Sequence, residues 1–238
     1  MKPVLLAAAA AGLTLLPALA HADERKTLDV APFHGIEVSS GIHAQVEAGI
    51  LEQAVVATAP DANTLRDLRY DVRDGVLRFW IDRDLFHILD FSDRHIEVRI
   101  EAGTLDRLAA SSGSEMNAVN VEGDTLGVEV SSGASATVRG TAVKSATLEA
   151  ASGGSLEGAG TCQKADVEVS SGASIAGKDL DCQEVSAEAS SGAWADITAR
   201  QTLSAEASSG GRIEIFGTPR IDHQETTSGG SITITPHD

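Results

Sequence analysis

Aromatic side chains are scarce in this chain of 238 residues. Phe, Trp and Tyr together make up 3% of the sequence, whereas glycine alone occurs 23 times. A wide globular core needs large side chains to fill it, but a narrow solenoid does not. The composition therefore argues against a broad core and favours a thin interior filled by small residues.

Basic residues are also few. The chain has 18 Lys and Arg against 35 Asp and Glu, so its formal charge is −17. Proteins that bind nucleic acid or an anionic membrane surface present basic patches to it. The charge balance therefore excludes nucleic acid as a partner and leaves neutral glycans, cations and basic proteins.

Long apolar runs are missing after the N-terminus, so no later segment is expected to span a membrane. Residues 1–22 combine a basic start at Lys2, an apolar stretch and small-residue cleavage sites such as Ala20-His21-Ala22. This pattern predicts a signal peptide. Its removal takes away one lysine and no acid, which changes the charge from −17 to −18. We therefore expect a periplasmic, secreted or cell-surface protein.

A short phrase in which serine precedes glycine, as in Ser131-Ser132-Gly133, recurs seven times in the second half. Successive glycines are 20, 20, 19, 20, 18 and 19 residues apart. A period near 20 with β-type alternation is typical of a parallel β-helix with one coil per repeat. The repeat glycines are Gly113, Gly133, Gly153, Gly172, Gly192, Gly210 and Gly229.

Numbering each coil from its glycine shows which side chains face the interior. Positions −5, −3, +3 and +5 are mostly apolar and alternate with polar residues, as Val128 and Val130 do before Gly133. These positions are predicted to point inward. The glycine itself is expected to supply a turn with positive φ at one corner of the coil.

The N-terminal half is less regular than the repeats. Residues 23–104 are predicted to be an irregular β region that caps the solenoid, built either from coils with insertions or from a small sheet. Strands are expected at 33–38, 43–47, 54–59 and 96–100, with a hairpin at Asp74-Gly75, a short helix or turn at 61–68 and a loop at 82–94. Residues 105–238 are predicted to be the regular coils, and 28–238 one continuous all-β domain.

Cys162 and Cys182 are the only cysteines, and each lies ten residues before a repeat glycine. They therefore hold the same place on neighbouring coils, where stacked strands are about 4.8 Å apart. That spacing is within the Cα–Cα range of a disulfide. Since an exported protein meets an oxidising compartment, we predict a Cys162–Cys182 bond.

Three features together resemble a known family. They are the opening Phe33-His34-Gly35-Ile36-Glu37-Val38, the hairpin Asp74-Gly75-Val76-Leu77, and the Ser-Gly coils from Ser111 to Ile234. This combination resembles the head GIN domain family, a family of unknown function described as autotransporter adhesin heads. The resemblance implies a right-handed parallel β-helix in an exported bacterial protein, and it supplies no catalytic residues.

The first candidate site is a ladder of carboxylates at position −4, which alternation points outward. Two interpretations stay open: a solvated face that keeps the rod soluble, or a surface for divalent cations or a basic partner. The ladder comprises Glu129, Glu149, Glu168, Glu188 and Glu206, and Glu225 follows at the same position.

Two aromatic groups are further candidates. Trp194 is predicted to be exposed, to lie against Arg212 on the next coil and to stack on a sugar ring; the alternative is a cover over a neighbouring loop. Trp80, Phe86 and Phe91 belong to an aromatic and acidic segment that is either a ligand site or a hydrophobic plug on the solenoid.

The leading functional prediction is an exported, non-enzymatic module of the bacterial envelope that acts in binding, adhesion or as a scaffold. Its partner would be an envelope protein or a glycan, and no cofactor is expected. The alternative is a polysaccharide lyase or hydrolase, for which Asp82 and Asp84 would serve as a carboxylate pair. A third interpretation is self-assembly into a homo-oligomer through the solenoid ends.

Overall fold

The computed structural model describes residues 23–82 and 95–236, which form a parallel β solenoid and confirm the predicted all-β fold. These residues contain seventeen strands and one helix, α1 (Ala62–Asp67). The strands are β1 (Glu24–Thr27), β2 (Gly35–Val38), β3 (His43–Glu47), β4 (Ala54–Ala59), β5 (Leu68–Arg73), β6 (Val76–Ile81), β7 (Glu97–Glu101), β8 (Arg107–Ala110), β9 (Glu115–Val119), β10 (Glu122–Val130), β11 (Ser135–Ala150), β12 (Ser155–Val169), β13 (Ser174–Ala189), β14 (Trp194–Ala207), β15 (Arg212–Phe216), β16 (Arg220–Thr226) and β17 (Ser231–Thr235).

Each regular coil has three flat faces. In β11 buried and exposed residues alternate, but the alternation changes phase at Arg139-Gly140 and again at Lys144-Ser145. These two corners and the Ser-Gly turn divide the coil into a leading face (135–138), a middle face (141–143) and a trailing face (145–150). The same names apply to the residues in register with these on the other coils.

The interior is a set of apolar ladders, as the repeat register predicted. Leu148 lies in register with Val128 on one side and Val167 on the other, and all three are at most 3% exposed. Neighbouring coils pair in parallel throughout β10 to β17. Because like residues stack on like, small side chains suffice to fill the narrow core.

The Ser-Gly turns are tighter than the sequence indicated. In the turn 131–134, the amide of Ala134 donates to the carbonyl oxygen of Ser131 at 3.1 Å. Gly133 has the expected positive φ of 70°, but Ser132 before it also has a positive φ, of 53°. Two successive left-handed residues are the mark of a type I′ turn. The unforeseen serine conformation recurs at every turn.

The turns also bond to one another along the rod. The amide of Gly133 donates to the carbonyl oxygen of Ser152 on the next coil at 3.2 Å. The equivalent bond joins each pair of neighbouring turns from Gly41 to Gly229. One corner of the solenoid is therefore a continuous stack of eight hydrogen-bonded turns, and Ser39-Ser40-Gly41 forms the first of them.

The N-terminal region contains both arrangements that the sequence left open. β2 and β3 form a coil that lies between β6 and β7 on one side and β8 and β9 on the other. Beyond it, β5 pairs antiparallel with β6, β4 with β7, and β1 with β4. α1 begins after Asp61, whose carboxylate accepts from the amides of Asn63 and Thr64. Residues 83–94 of the predicted loop lie outside the described residues.

The predicted disulfide is present. Cys162 and Cys182 are in register on β12 and β13, with their Cα atoms 4.5 Å apart. Both side chains point into the core from the middle face and are at most 5% exposed. The bond therefore joins two neighbouring coils from inside.

Candidate binding site

The outward side of the trailing face carries one straight row of carboxylates. Every glutamate at position −4 is the register partner of the next, as the sequence predicted. We call this set the glutamate row; it consists of Glu129, Glu149, Glu168, Glu188, Glu206 and Glu225.

The two ends of the glutamate row are paired and its middle is not. Arg107 Nη2 lies 2.9 Å from Glu129 Oε2, and His223 Nε2 lies 3.2 Å from Glu206 Oε1. Within residues 23–82 and 95–236, the three middle glutamates have no ion pair and no side-chain hydrogen bond. These three are Glu149, Glu168 and Glu188. Like charges held on adjacent coils repel one another, so this part of the surface attracts cations.

A shallow groove of about 240 Å³ runs beside the glutamate row. One wall is the row itself, and the other is position −2 of the turns, where Ser170, Ser190 and Ser208 carry hydroxyl groups and Ala151 does not. In the described part of the chain, no three His, Cys, Asp or Glu side chains converge as a metal site requires. Binding of divalent cations by Glu129, Glu149, Glu168, Glu188 and Glu206 stays a prediction.

A second concavity, of about 290 Å³, lies on the same face at its N-terminal end. Trp80 lines it together with Asp71, Arg73 and Arg78. Arg73 Nε is 2.7 Å and Arg78 Nε 3.2 Å from the carboxylate of Asp71. Phe86 and Phe91, which were predicted to join Trp80, lie outside the described residues.

The charged partners of Trp80 were missed in the sequence, although a signal was present. Asp71 and Arg78 are equally distant from the Asp74-Gly75 turn, and a two-residue hairpin places such residues opposite each other. Counting three residues outward on each side of Asp74-Gly75 pairs Asp71 with Arg78. The pocket is therefore a consequence of the hairpin register.

Trp194 and Arg212 are neighbours in register on the leading face, and stacking of a sugar ring on the indole stays a prediction. The indole is half-buried, the guanidinium is exposed, and the described residues show no cation–π contact between them. The cation–π contact found nearby joins Lys178 Nζ to the ring of Phe216 at 4.6 Å. A bulge in β13 at 177–181 carries Lys178 over this part of the face.

The same bulge is held by a buried acid that the sequence did not single out. Asp196 Oδ1 accepts hydrogen bonds from the amides of Gly177 and Lys178, both at 2.7 Å. Burial raises the pKa of Asp196, although the two backbone hydrogen bonds act in the other direction. Thr198 Oγ1 completes the attachment by donating to the carbonyl oxygen of Lys178 at 2.7 Å. The short step of 18 residues from Gly192 to Gly210 was the available sign of an irregular coil.

Comparison with known proteins agrees with this architecture. Residues 32–219 match the family described as "Putative auto-transporter adhesin, head GIN domain". No curated protein matches the sequence.

Solved structures share the fold along nearly the whole chain. A "putative adhesin" from Bacteroides fragilis has 18% identity and a TM-score of 0.79, covering 92% of this chain and 98% of its own. One from Parabacteroides merdae has 17% identity and a TM-score of 0.67, covering 90% and 96%. A "Putative lipid binding protein" from Parabacteroides distasonis has 16% identity and a TM-score of 0.66, also covering 90% and 96%. At these identities the likeness concerns the fold.

Proposed function

Because this chain belongs to the head GIN domain family, we propose that it is an exported, non-enzymatic and adhesin-like binding module. The disulfide between Cys162 and Cys182 supports export, since such bonds persist outside the reducing cytoplasm. Among the described residues no helix is long and apolar enough to cross a membrane. The predicted signal peptide, residues 1–22, lies outside them.

The binding surface in this proposal is the groove beside the glutamate row. The observation that carries it is the unpaired state of Glu149, Glu168 and Glu188, which the rigid coils hold close together. A cationic partner would relieve their mutual repulsion and would also find hydroxyl groups on the opposite wall. The partner that fits this acidic groove is a basic, extended segment of an envelope protein.

A fluorescent oligolysine peptide is a direct probe of the groove. We expect the mature protein to bind it with strong salt dependence, as fluorescence anisotropy would measure. The double variant Glu168→Gln/Glu188→Gln should bind about tenfold more weakly, because two surface ion pairs are lost.

The control is Glu122→Gln/Glu184→Gln, which removes two exposed acids outside the groove and changes the net charge equally. It should leave binding nearly unchanged. An equal loss in both double variants would show attraction to the overall charge and would contradict a site in the groove.

A second candidate function is sugar binding at Trp80, and the pocket it shares with Asp71, Arg73 and Arg78 is the observation in its favour. A sugar ring can stack its apolar face on an indole while its hydroxyls bond to charged side chains. A glycan array with Trp80→Ala and Trp194→Ala tests both tryptophans. Loss of glycan binding in Trp80→Ala alone would support this pocket. Loss of binding in Trp194→Ala alone would instead place the site on the leading face near Arg212.

The enzymatic alternative requires Asp82 and Asp84 to act as a pair. The carboxylate of Asp82 lies 3.3 Å from Arg69 Nη2, which favours a structural ion pair, and Asp84 lies outside the described residues. Polysaccharide turnover that Asp82→Asn abolishes would overturn the non-enzymatic proposal.

A further inference from the structure

One edge strand of the solenoid differs in charge from the other edge strands. Outer edge strands of soluble proteins usually carry charges that prevent pairing with another chain. The N-terminal edge strands β1 and β5 follow this rule, and so does β16 at the C-terminal end, whereas β17 contains no charged residue at all. The charged edge residues are Glu24, Arg25, Lys26, Arg69, Asp71, Arg73, Arg220, Asp222 and Glu225.

The apolar core also continues to the surface at β17. Ile232 and Ile234 are in register with Ile213 and Ile215 of β15, which are fully buried. They pack against the core but stay partly exposed, because no further coil covers them in the described part of the chain. β17 pairs with β15 along one edge, and the described residues supply no strand for its other edge.

β17 is complementary to itself. Its residues from Ser231 to Thr235 read Ser-Ile-Thr-Ile-Thr, so apolar positions are symmetric about Thr233. We propose that two copies of this chain pair antiparallel through β17, related by a two-fold axis that passes midway between the two Thr233 residues. In this arrangement Ile232 lies opposite the partner's Ile234 and both stay on the inward side, so the two cores join.

A second copy fits this edge better than another occupant for two reasons. Each chain is strongly acidic, and β17 is an uncharged edge strand through which two such chains can approach. The same surface patch serves both partners, so the contact closes as a dimer. Growth into a filament is disfavoured because the N-terminal edges carry charges. Pro236 follows the strand and limits the ladder to five residues.

Cross-linking tests the predicted axis directly. Thr233→Cys would place the introduced thiols of the two copies opposite each other, and the Cα separation of about 4.5–5.5 Å in such a pair permits a disulfide. The control Thr137→Cys puts a thiol at the same coil position in the middle of the rod. Mild oxidation should convert the first variant, and not the second, into a covalent dimer on a non-reducing gel. Equal cross-linking of both variants, or of neither, would overturn the proposal.

Charged substitutions at Thr233 test the same contact without a covalent cross-link. Thr233 is exposed and lies in register with Glu214, so Thr233→Lys is compatible with the folded monomer. Thr233→Lys or Thr233→Glu alone should weaken dimerisation at least about tenfold in sedimentation equilibrium, because like charges meet on the axis. An equal mixture of the two variants should restore the dimer. Unchanged dimerisation in Thr233→Lys, or a mixture that stays monomeric, would contradict pairing through β17.

Discussion

The two ends of the solenoid are built from similar coils but are closed in different ways. At the N-terminal end, antiparallel strands cover a core that contains Phe79, which is 1% exposed. At the C-terminal end the last coil has polar residues, Gln224 and Thr226, at two inward positions, and Ile232 stays partly exposed. The repeated coil therefore supplies the rod, whereas its ends determine local stability and association.

Truncation of one core residue at each end should destabilise the protein to different extents. Phe79→Ala should lower the free energy of unfolding by about 4 kcal/mol, because it opens a cavity under the N-terminal cap. Ile232→Ala should lower the free energy of unfolding by less than about half as much, since the side chain of Ile232 is already partly open to water. Urea unfolding of both variants in dilute solution measures the two losses of free energy. Equal losses would contradict the contrast between a closed and an open end.

Removal of the disulfide tests the region between the two ends. Cys162→Ala/Cys182→Ala should cost about 3 kcal/mol, because the bond closes a loop of 20 residues in the unfolded chain. A protease should then cleave the C-terminal coils first, since they lie at the open end and have lost their covalent link to the preceding coils. A loss below about 1 kcal/mol, or first cleavage in the N-terminal cap, would argue against this account.

The coil register was predictable because several signals depend on one period. The spacing of the glycines predicted the inward ladders, the row from Glu129 to Glu225 and the Cys162–Cys182 bond. Each of these follows once the coil is about 20 residues long and strands stack directly upon each other. The family resemblance pointed to the same fold, and the match over residues 32–219 confirms it.

The order of the first coils could not be predicted. After β3 the chain forms the coil of β6 and β7 on one side of β2 and β3, and then the coil of β8 and β9 on their other side, so the first coil lies between two later ones. Local alternation defines a strand but not its partner. The described residues also show no cation–π contact between Trp194 and Arg212, because register fixes Cα neighbours but not side-chain rotamers.

Substitution of Asp196, the buried acid near the open end, should have an intermediate effect on stability. Asp196→Ala should cost about 2 kcal/mol, because the amides of Gly177 and Lys178 lose their acceptor. Asp196→Asn keeps an acceptor oxygen and removes the charge, so its loss should be much smaller. Chemical unfolding of both variants measures the difference. Similar losses would show that the carboxylate charge, and not the acceptor, holds the bulge.

The same residue predicts a pH dependence with a definite sign. Because the pKa of Asp196 is raised in the folded protein, the fold binds the proton more tightly than the unfolded chain does. This contribution to stability is present below the ordinary pKa of 3.8 and is lost as pH rises through the folded pKa. The stability of Asp196→Asn relative to the wild type should therefore increase over that interval. A constant difference would contradict the raised pKa.

A glycine-to-alanine substitution in a Ser-Gly turn near each end should have only a small effect on stability. Gly41 and Gly229 have φ of 74° and 80°, and an added Cβ would meet no atom within 4 Å at either. Replacement by alanine therefore costs only backbone strain, about 1 kcal/mol. Gly41→Ala should show this cost in global unfolding, while Gly229→Ala should show less because its turn can open locally. A larger loss of stability in Gly229→Ala than in Gly41→Ala would contradict local opening at the C-terminal end.

The contrast between the two ends is tested most directly by amide hydrogen exchange. We would measure the Thr233→Lys variant at low concentration, where pairing through β17 is absent. In this variant the amides of β17 should exchange at least about 100-fold faster than those of β2, which lies between two parallel neighbours. Equal protection of β17 and β2 would contradict an open C-terminal end.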